Sequence, residues 1–111
     1  MHANTHRERT VMDVDAARAQ ATATLRQIEE GGHPLALLDP DSPIEHEWCW
    51  LFPFNTARAI ETGDFMHSLA VGPLVVPKSG DEPWVAPSSP PVEKWLNAYA
   101  ERMNLTLVPL P

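Results

Sequence analysis

The sequence predicts an α+β fold, in which an antiparallel sheet of about four or five strands carries the N-terminal and C-terminal helices on one face. Three observations lead to this prediction. Amphipathic stretches with helical spacing lie near the two ends of the chain. Residues 44–54 place aromatic side chains at alternate positions, as a half-buried strand does. Residues 74–76 and 84–86 flank a turn sequence at the spacing of a hairpin.

The first helix is expected over about residues 11–30. Thr10 and Asp13 have the spacing of a capping box, and Gly31-Gly32 followed by Pro34 would end the helix. Its apolar stripe recurs at helical spacing and consists of Val14, Ala17, Ala21, Leu25 and Ile28.

The strands follow in order along the chain. Residues 35–38 form a short apolar run before a turn, and residues 44–54 predict one strand with a single heavy aromatic face. Residues 56–62 resemble a short helix closed by Gly63. The side chains that should share the aromatic face are Ile44, His46, Trp48, Trp50, Phe52 and Phe54.

The second half of the chain predicts a hairpin and a final helix. Gly72-Pro73 opens the buried strand 74–76, and a positive φ at Gly72 would explain the glycine. Ser89 is the expected N-cap of the last helix, and residues 105–108 could add an edge strand. The apolar face of that helix is expected to be Val92, Trp95, Leu96, Tyr99 and Met103.

Length and composition favour one domain over residues 10–111, preceded by a flexible arm at residues 1–9. The beginning of the chain has no apolar export segment, so a cytoplasmic location is expected. Fifteen acidic and eight basic residues leave a net charge of −7, which disfavours nucleic acid and anionic membranes as partners. A cationic protein partner fits this charge better.

No catalytic, metal or cofactor site is predicted. The chain has one cysteine and lacks the phosphate-loop, nucleophile-elbow and zinc-protease motifs. Cys49 is expected to be a small buried apolar residue, and His46 a structural histidine on the aromatic strand.

An acidic connection is the candidate partner-binding site. Four carboxylates fall within nine residues that contain no Lys or Arg, namely Asp39, Asp41, Glu45 and Glu47. Such a cluster can steer and orient a basic partner. A catalytic pair of Glu45 and Glu47, about 7 Å apart on one strand face, is the alternative. Trp84 is the candidate aromatic anchor, as Trp is enriched at interfaces.

Four blocks in order resemble the YrhB-like family, also called the immunity protein 35 family. They are Trp50–Thr56, Ile60–Asp64, Leu69–Val76 and Pro91–Tyr99, so the resemblance is strongest over residues 44–100. Cys49 departs from the family pattern, which often has Gly there, and so does the turn at residues 77–81. The positions that match the family's structural motif are Trp50, Phe52, Gly72, Pro73 and Trp95.

The resemblance implies a small, non-enzymatic, cytoplasmic bacterial protein. It implies either an immunity protein that neutralises a cognate toxin by occlusion or a stress-linked, chaperone-like holdase. An occluding inhibitor should present one charged patch with a few anchors, whereas a holdase needs a broad exposed apolar area. A small hydrolase remains a third reading, which requires a cleft that joins Glu45 or Glu47 to His46.

Overall fold

The computed structural model describes residues 12–29, 33–63, 68–69 and 71–110. Within these ranges the chain forms three helices and six strands. The helices are α1 (Val14–Ile28), α2 (Ala57–Thr62) and α3 (Val92–Met103). The strands are β1 (Leu35–Leu37), β2 (Ile44–Glu45), β3 (Cys49–Phe52), β4 (Phe54–Thr56), β5 (Val71–Pro77) and β6 (Trp84–Pro87). The predicted arm, the Thr10 cap and Gly31-Gly32 lie outside the described residues.

All strand pairing is antiparallel, and the predicted α+β class is confirmed. The main sheet has four strands in the order β2-β3-β5-β6, and β1 pairs with β4 in a second, two-stranded sheet. The predicted hairpin is present as β5 and β6, with Val75 opposite Trp84 and Gly80 at a φ of 93° in the turn.

The single aromatic strand predicted over residues 44–54 is wrong. β2 ends at Glu45, and the chain turns back on itself, so that Ile44 pairs with Leu51 and Glu45 with Trp50. The backbone N–H of His46 donates to the carbonyl of Cys49 across this turn, at 2.9 Å. The aromatic residues are therefore divided between the two faces of the sheet, because the turn breaks the alternation before Cys49.

The two long helices lie on opposite faces of the main sheet, which corrects the expectation that they share one face. α1 packs against Phe52, Leu74 and Val76, and α3 packs against Leu51 and Val75. Adjacent residues of β3 and β5 point to opposite faces, and both sets are apolar. One helical layer can cover only one of these faces, so burial of both requires a helix on each side.

The helix ends follow local chemistry. Asp13 is the N-cap of α1 and accepts from the backbone N–H of Ala16 at 2.8 Å, so this helix begins at Val14 and not at about residue 11 as expected. Gly63 closes α2 at a φ of 69°, as predicted. The predicted cap of α3 is wrong, because Pro91, not Ser89, is the N-cap residue. A residue that precedes proline is disfavoured in the α region, so the prolines at 90 and 91 keep Ser89 and Pro90 out of the helix.

Gly72 does not have the positive φ that the sequence suggested, because the left-handed glycines among the described residues are Gly63 and Gly80. Gly72 lies where the β5–β6 register shifts, between Val71 and Leu74. A Cβ at this position would approach the carbonyl oxygens of Ala86 and Pro87 to 2.5 and 2.6 Å. Close approach of the neighbouring backbone, not φ, therefore requires glycine here.

Residues 105–108 form no strand, contrary to expectation, yet they are held in place. Asn97 on α3 donates to the carbonyl of Val108 at 3.0 Å and accepts from its N–H at 2.7 Å. Val108 is buried in the cluster between α3 and the sheet. A side-chain amide thus replaces a strand partner for this segment, which we call the C-terminal tail (residues 104–110).

Candidate interaction surface

The four carboxylates of the acidic connection do not form one patch. Asp39 and Asp41 precede β2, whereas Glu47 follows it, so they lie toward opposite ends of the β2–β3 hairpin. Arg18 of α1 donates to the carbonyl of Pro40 at 2.8 Å, and its guanidinium lies 3.9 Å from Asp41. The turn that carries Asp39 and Asp41 therefore rests against α1.

Glu45 is neutralised within the chain. The Lys78 ammonium lies 2.5 Å from the Glu45 carboxylate and 5.1 Å from the centroid of the Trp50 ring. Only 14% of the Lys78 side chain is exposed. Glu45 is thus paired with a largely buried cation on the face that α1 covers. Because Lys78 compensates its negative charge, Glu45 would attract a basic partner less strongly than an unpaired carboxylate.

Glu47 lies on the other side of the sheet and contacts the C-terminal tail. The hydroxyl of Thr106 donates to its carboxylate at 2.7 Å. Glu45 and Glu47 therefore do not share a strand face, since the turn at residues 46–48 separates them. The two carboxylates have separate partners, because Glu45 is paired with Lys78 and Glu47 accepts from Thr106.

An aromatic stack joins the two hairpins on the α3 face. The Tyr99 ring lies 5.2 Å from the Trp48 ring and 5.2 Å from the Trp84 ring, with interplanar angles of 18° and 28°. The Arg102 guanidinium is 5.5 Å from the Tyr99 centroid. Burial, and then the negative charge of Asp81, raises the pKa of Tyr99, whereas Arg102 opposes the rise. Trp84, the predicted anchor, is thus in this stack and only partly exposed.

The register places the turns of both hairpins at one end of the sheet. Cys49 at the start of β3 pairs with Pro77 at the end of β5, and the Lys78 N–H donates to the Trp48 carbonyl at 2.8 Å. The β2–β3 turn therefore lies beside the β5–β6 turn, which carries the exposed residues Asp81 and Glu82.

The C-terminal tail lies against the same turn. The Trp48 indole N–H donates to the Thr106 carbonyl at 2.9 Å. Leucine side chains on either side of Thr106 remain exposed, 36% for Leu105 and 54% for Leu107, and Met103 at the end of α3 is 46% exposed. Apolar and acidic side chains thus share this end of the molecule.

Three of the motif positions, Trp50, Phe52 and Trp95, lie in or against the two hydrophobic clusters. Phe52 is fully buried, and the Trp50 indole donates to the Met12 carbonyl at 3.0 Å beside α1. Trp95 packs on the α3 side of the sheet. The indole N–H groups of Trp84 and Trp95 are buried and have no acceptor among the described residues.

Burial keeps the one cysteine of the chain in its neutral form. Burial raises the pKa of the Cys49 thiol to about 12, despite the opposing charge of Lys78, so the thiol stays protonated at neutral pH. Across the described ranges no three His, Cys, Asp or Glu side chains are grouped to hold a metal ion. Nor does any described helix combine the length and apolar character needed to cross a bilayer.

Sequence reasoning missed Tyr99 and Asp81 as surface residues. Tyr99 was expected only as part of the apolar face of the last helix, and its stack with both tryptophans depends on the antiparallel register of β3 and β5. The acidic pair in the β5–β6 turn, visible as Asp81-Glu82, was the one available signal.

Comparison with known proteins gives one match. Residues 15–98 match a family model whose description is immunity protein 35. No curated protein and no solved structure matches the chain. The match begins at the second residue of α1, covers the whole main sheet and ends within α3.

Proposed function

Because this chain belongs to the immunity protein 35 family, we propose that it binds one cognate protein toxin and neutralises it by covering the toxin's functional surface. The family match over residues 15–98 carries this proposal. The protein acts without catalysis and in the cytoplasm, where a toxin would reach its target.

The composition supports a basic partner. The chain has a net charge of −7, and complementary charge speeds association and orients a partner. Nucleic acid and anionic membranes are unfavourable partners for the same reason. The carboxylates best able to meet a basic toxin are those without an internal cation, which include Glu47 but not Glu45.

The test is co-expression with the toxin domain encoded in the adjacent reading frame. We expect the toxin domain alone to stop growth, and co-expression with this chain to restore growth and yield a stable complex on size-exclusion chromatography. Failure to bind that domain or to restore growth would contradict the proposed function.

A parallel measurement addresses the holdase alternative. A holdase would suppress the aggregation of a heated model client, such as citrate synthase, at stoichiometric concentration, because it shelters unfolded chains on exposed apolar surface. We expect no suppression by this chain. Suppression without toxin binding would favour the chaperone-like role.

A further inference from the structure

The end of the sheet where both hairpin turns meet combines exposed apolar surface with a rim of carboxylates. We call it the Tyr99 surface. Its apolar part is formed by Trp84, Tyr99, Met103 and Leu105, and its acidic rim by Glu47, Asp81 and Glu82.

We propose that the Tyr99 surface is the docking site for a basic segment of the toxin, in which an apolar or aromatic residue is flanked by Lys or Arg. This inference rests on the proposed function and adds which face of the molecule binds and what chemistry it recognises.

Charge complementarity identifies the occupant. Lys78 is the lysine nearest in sequence to the acidic β5–β6 turn. Its ammonium is paired with Glu45, and only 14% of its side chain is exposed. Arg102 lies 5.5 Å from the centroid of the Tyr99 ring, and the rim beside it carries three exposed carboxylates among the described residues. A basic segment would meet an uncompensated negative rim, whereas an acidic segment would be repelled.

The surface is also pre-organised. Trp48 and Glu47 both bond to Thr106, at 2.9 and 2.7 Å, and Asn97 anchors Val108, so the tail that carries Leu105 is held before any partner arrives. Tyr99 stacks between residues of two hairpins. Rings already fixed in place lose little conformational freedom on binding, and Trp, Tyr and Arg are the usual anchors of an interface.

The test compares two charge reversals that change the net charge equally. The first variant is Asp81→Lys with Glu82→Lys, in the exposed β5–β6 turn. The matched control is Asp41→Lys with Glu61→Lys, since both residues are exposed and lie away from the Tyr99 surface. A third variant, Met103→Ser, removes an exposed apolar side chain. The probe is the toxin domain of the adjacent reading frame, with affinity measured by biolayer interferometry and folding by circular dichroism.

We expect the first variant to weaken binding at least about tenfold and Met103→Ser about fivefold, with the control within about threefold of wild type. Equal loss in the first variant and the control would show that only net charge matters and would overturn the inference. Loss confined to the control would place the interface beside α1 and would also overturn it. Both results leave the proposed function intact, whereas a wild-type chain that does not bind the domain contradicts that function itself.

Discussion

Burial changes the acid–base chemistry of Cys49, the one cysteine of the chain. Its side chain is fully buried, and its pKa is raised from 9.0 to about 12. The folded protein therefore keeps the thiol proton over a pH range in which the unfolded chain releases it. The contribution of the buried, protonated thiol to the free energy of unfolding is fully present below pH 9 and declines as the pH rises toward 12.

We therefore predict that the free energy of unfolding of the wild type falls faster with pH than that of Cys49→Ala. The difference in slope should approach about 1.4 kcal/mol per pH unit above about pH 9, measured by urea denaturation. Groups common to both proteins cancel in this comparison. Parallel profiles would contradict the raised thiol pKa.

Trp48 and Trp84 stack on the same ring but differ in hydrogen bonding. The Trp48 indole donates to the Thr106 carbonyl, whereas the Trp84 indole is buried without an acceptor among the described residues. Replacing a buried donor costs stability mainly when its acceptor loses a partner.

Trp48→Phe should therefore destabilise the fold by about 1 kcal/mol more than Trp84→Phe, because only the first substitution leaves the Thr106 carbonyl without its partner. Each variant serves as the control for the other, since both retain an aromatic ring beside Tyr99. Equal losses in chemical denaturation would show that the hydrogen bond contributes nothing net.

At the scale of elements, the register of β5 and β6 shifts beside Gly72. Gly72→Ala should cost about 1–3 kcal/mol, because its Cβ would lie 2.5 Å from the carbonyl oxygen of Ala86. The control is Gly63→Asn, since the left-handed residue Gly63 has open space around it and Asn tolerates that backbone. Thermal unfolding that ranks Gly63→Asn as the more damaging change would contradict the close approach.

The C-terminal tail depends on Asn97 for its attachment to α3. Asn97→Ala removes both bonds to Val108 and should cost about 1–3 kcal/mol, with faster hydrogen exchange at the Val108 amide. Asn97→Asp is the matched control, because it keeps the acceptor for that amide and should protect it better than Ala does. Equal protection of Val108 in all three proteins would show that burial alone holds the tail.

At the scale of the whole molecule, the proposed function predicts that the net charge of −7 speeds association with a basic toxin. Association should slow as ionic strength rises from about 0.01 M to 0.15 M, because the Debye length falls from about 30 to 8 Å. The Asp81→Lys, Glu82→Lys variant should show a weaker salt dependence than wild type. An association rate that is independent of salt would contradict electrostatic steering.

Both hydrophobic clusters are needed for the whole fold, because they cover the two faces of one sheet. Phe52 and Val76 belong to the α1 side, and Leu51 and Val75 to the α3 side. Sequence analysis assigned the aromatic residues to one face because it extended the alternation of residues 44–54 through the turn. The two apolar faces of Leu74–Val76 were the signal that both sides are buried.

The sequence by itself determined the elements whose causes are local. The stripe from Ala17 to Leu25 predicts α1, Gly63 ends α2 by its freedom of φ, and the turn through Gly80 returns the chain as a hairpin. These depend on a few neighbouring residues, so they can be inferred without knowledge of the rest of the chain. The family resemblance over residues 44–100 could be recognised for a similar reason, because it consists of short blocks in order.

Only the tertiary structure decided which residues meet. It divides Asp39 and Asp41 from Glu47, pairs Glu45 with Lys78, and brings Tyr99 between two tryptophans that are 36 positions apart in the chain, at 48 and 84. These contacts depend on strand register and on the faces that the helices cover. A pattern of residue types sets how each segment folds, whereas register depends on the simultaneous burial of both sheet faces, which no single segment contains.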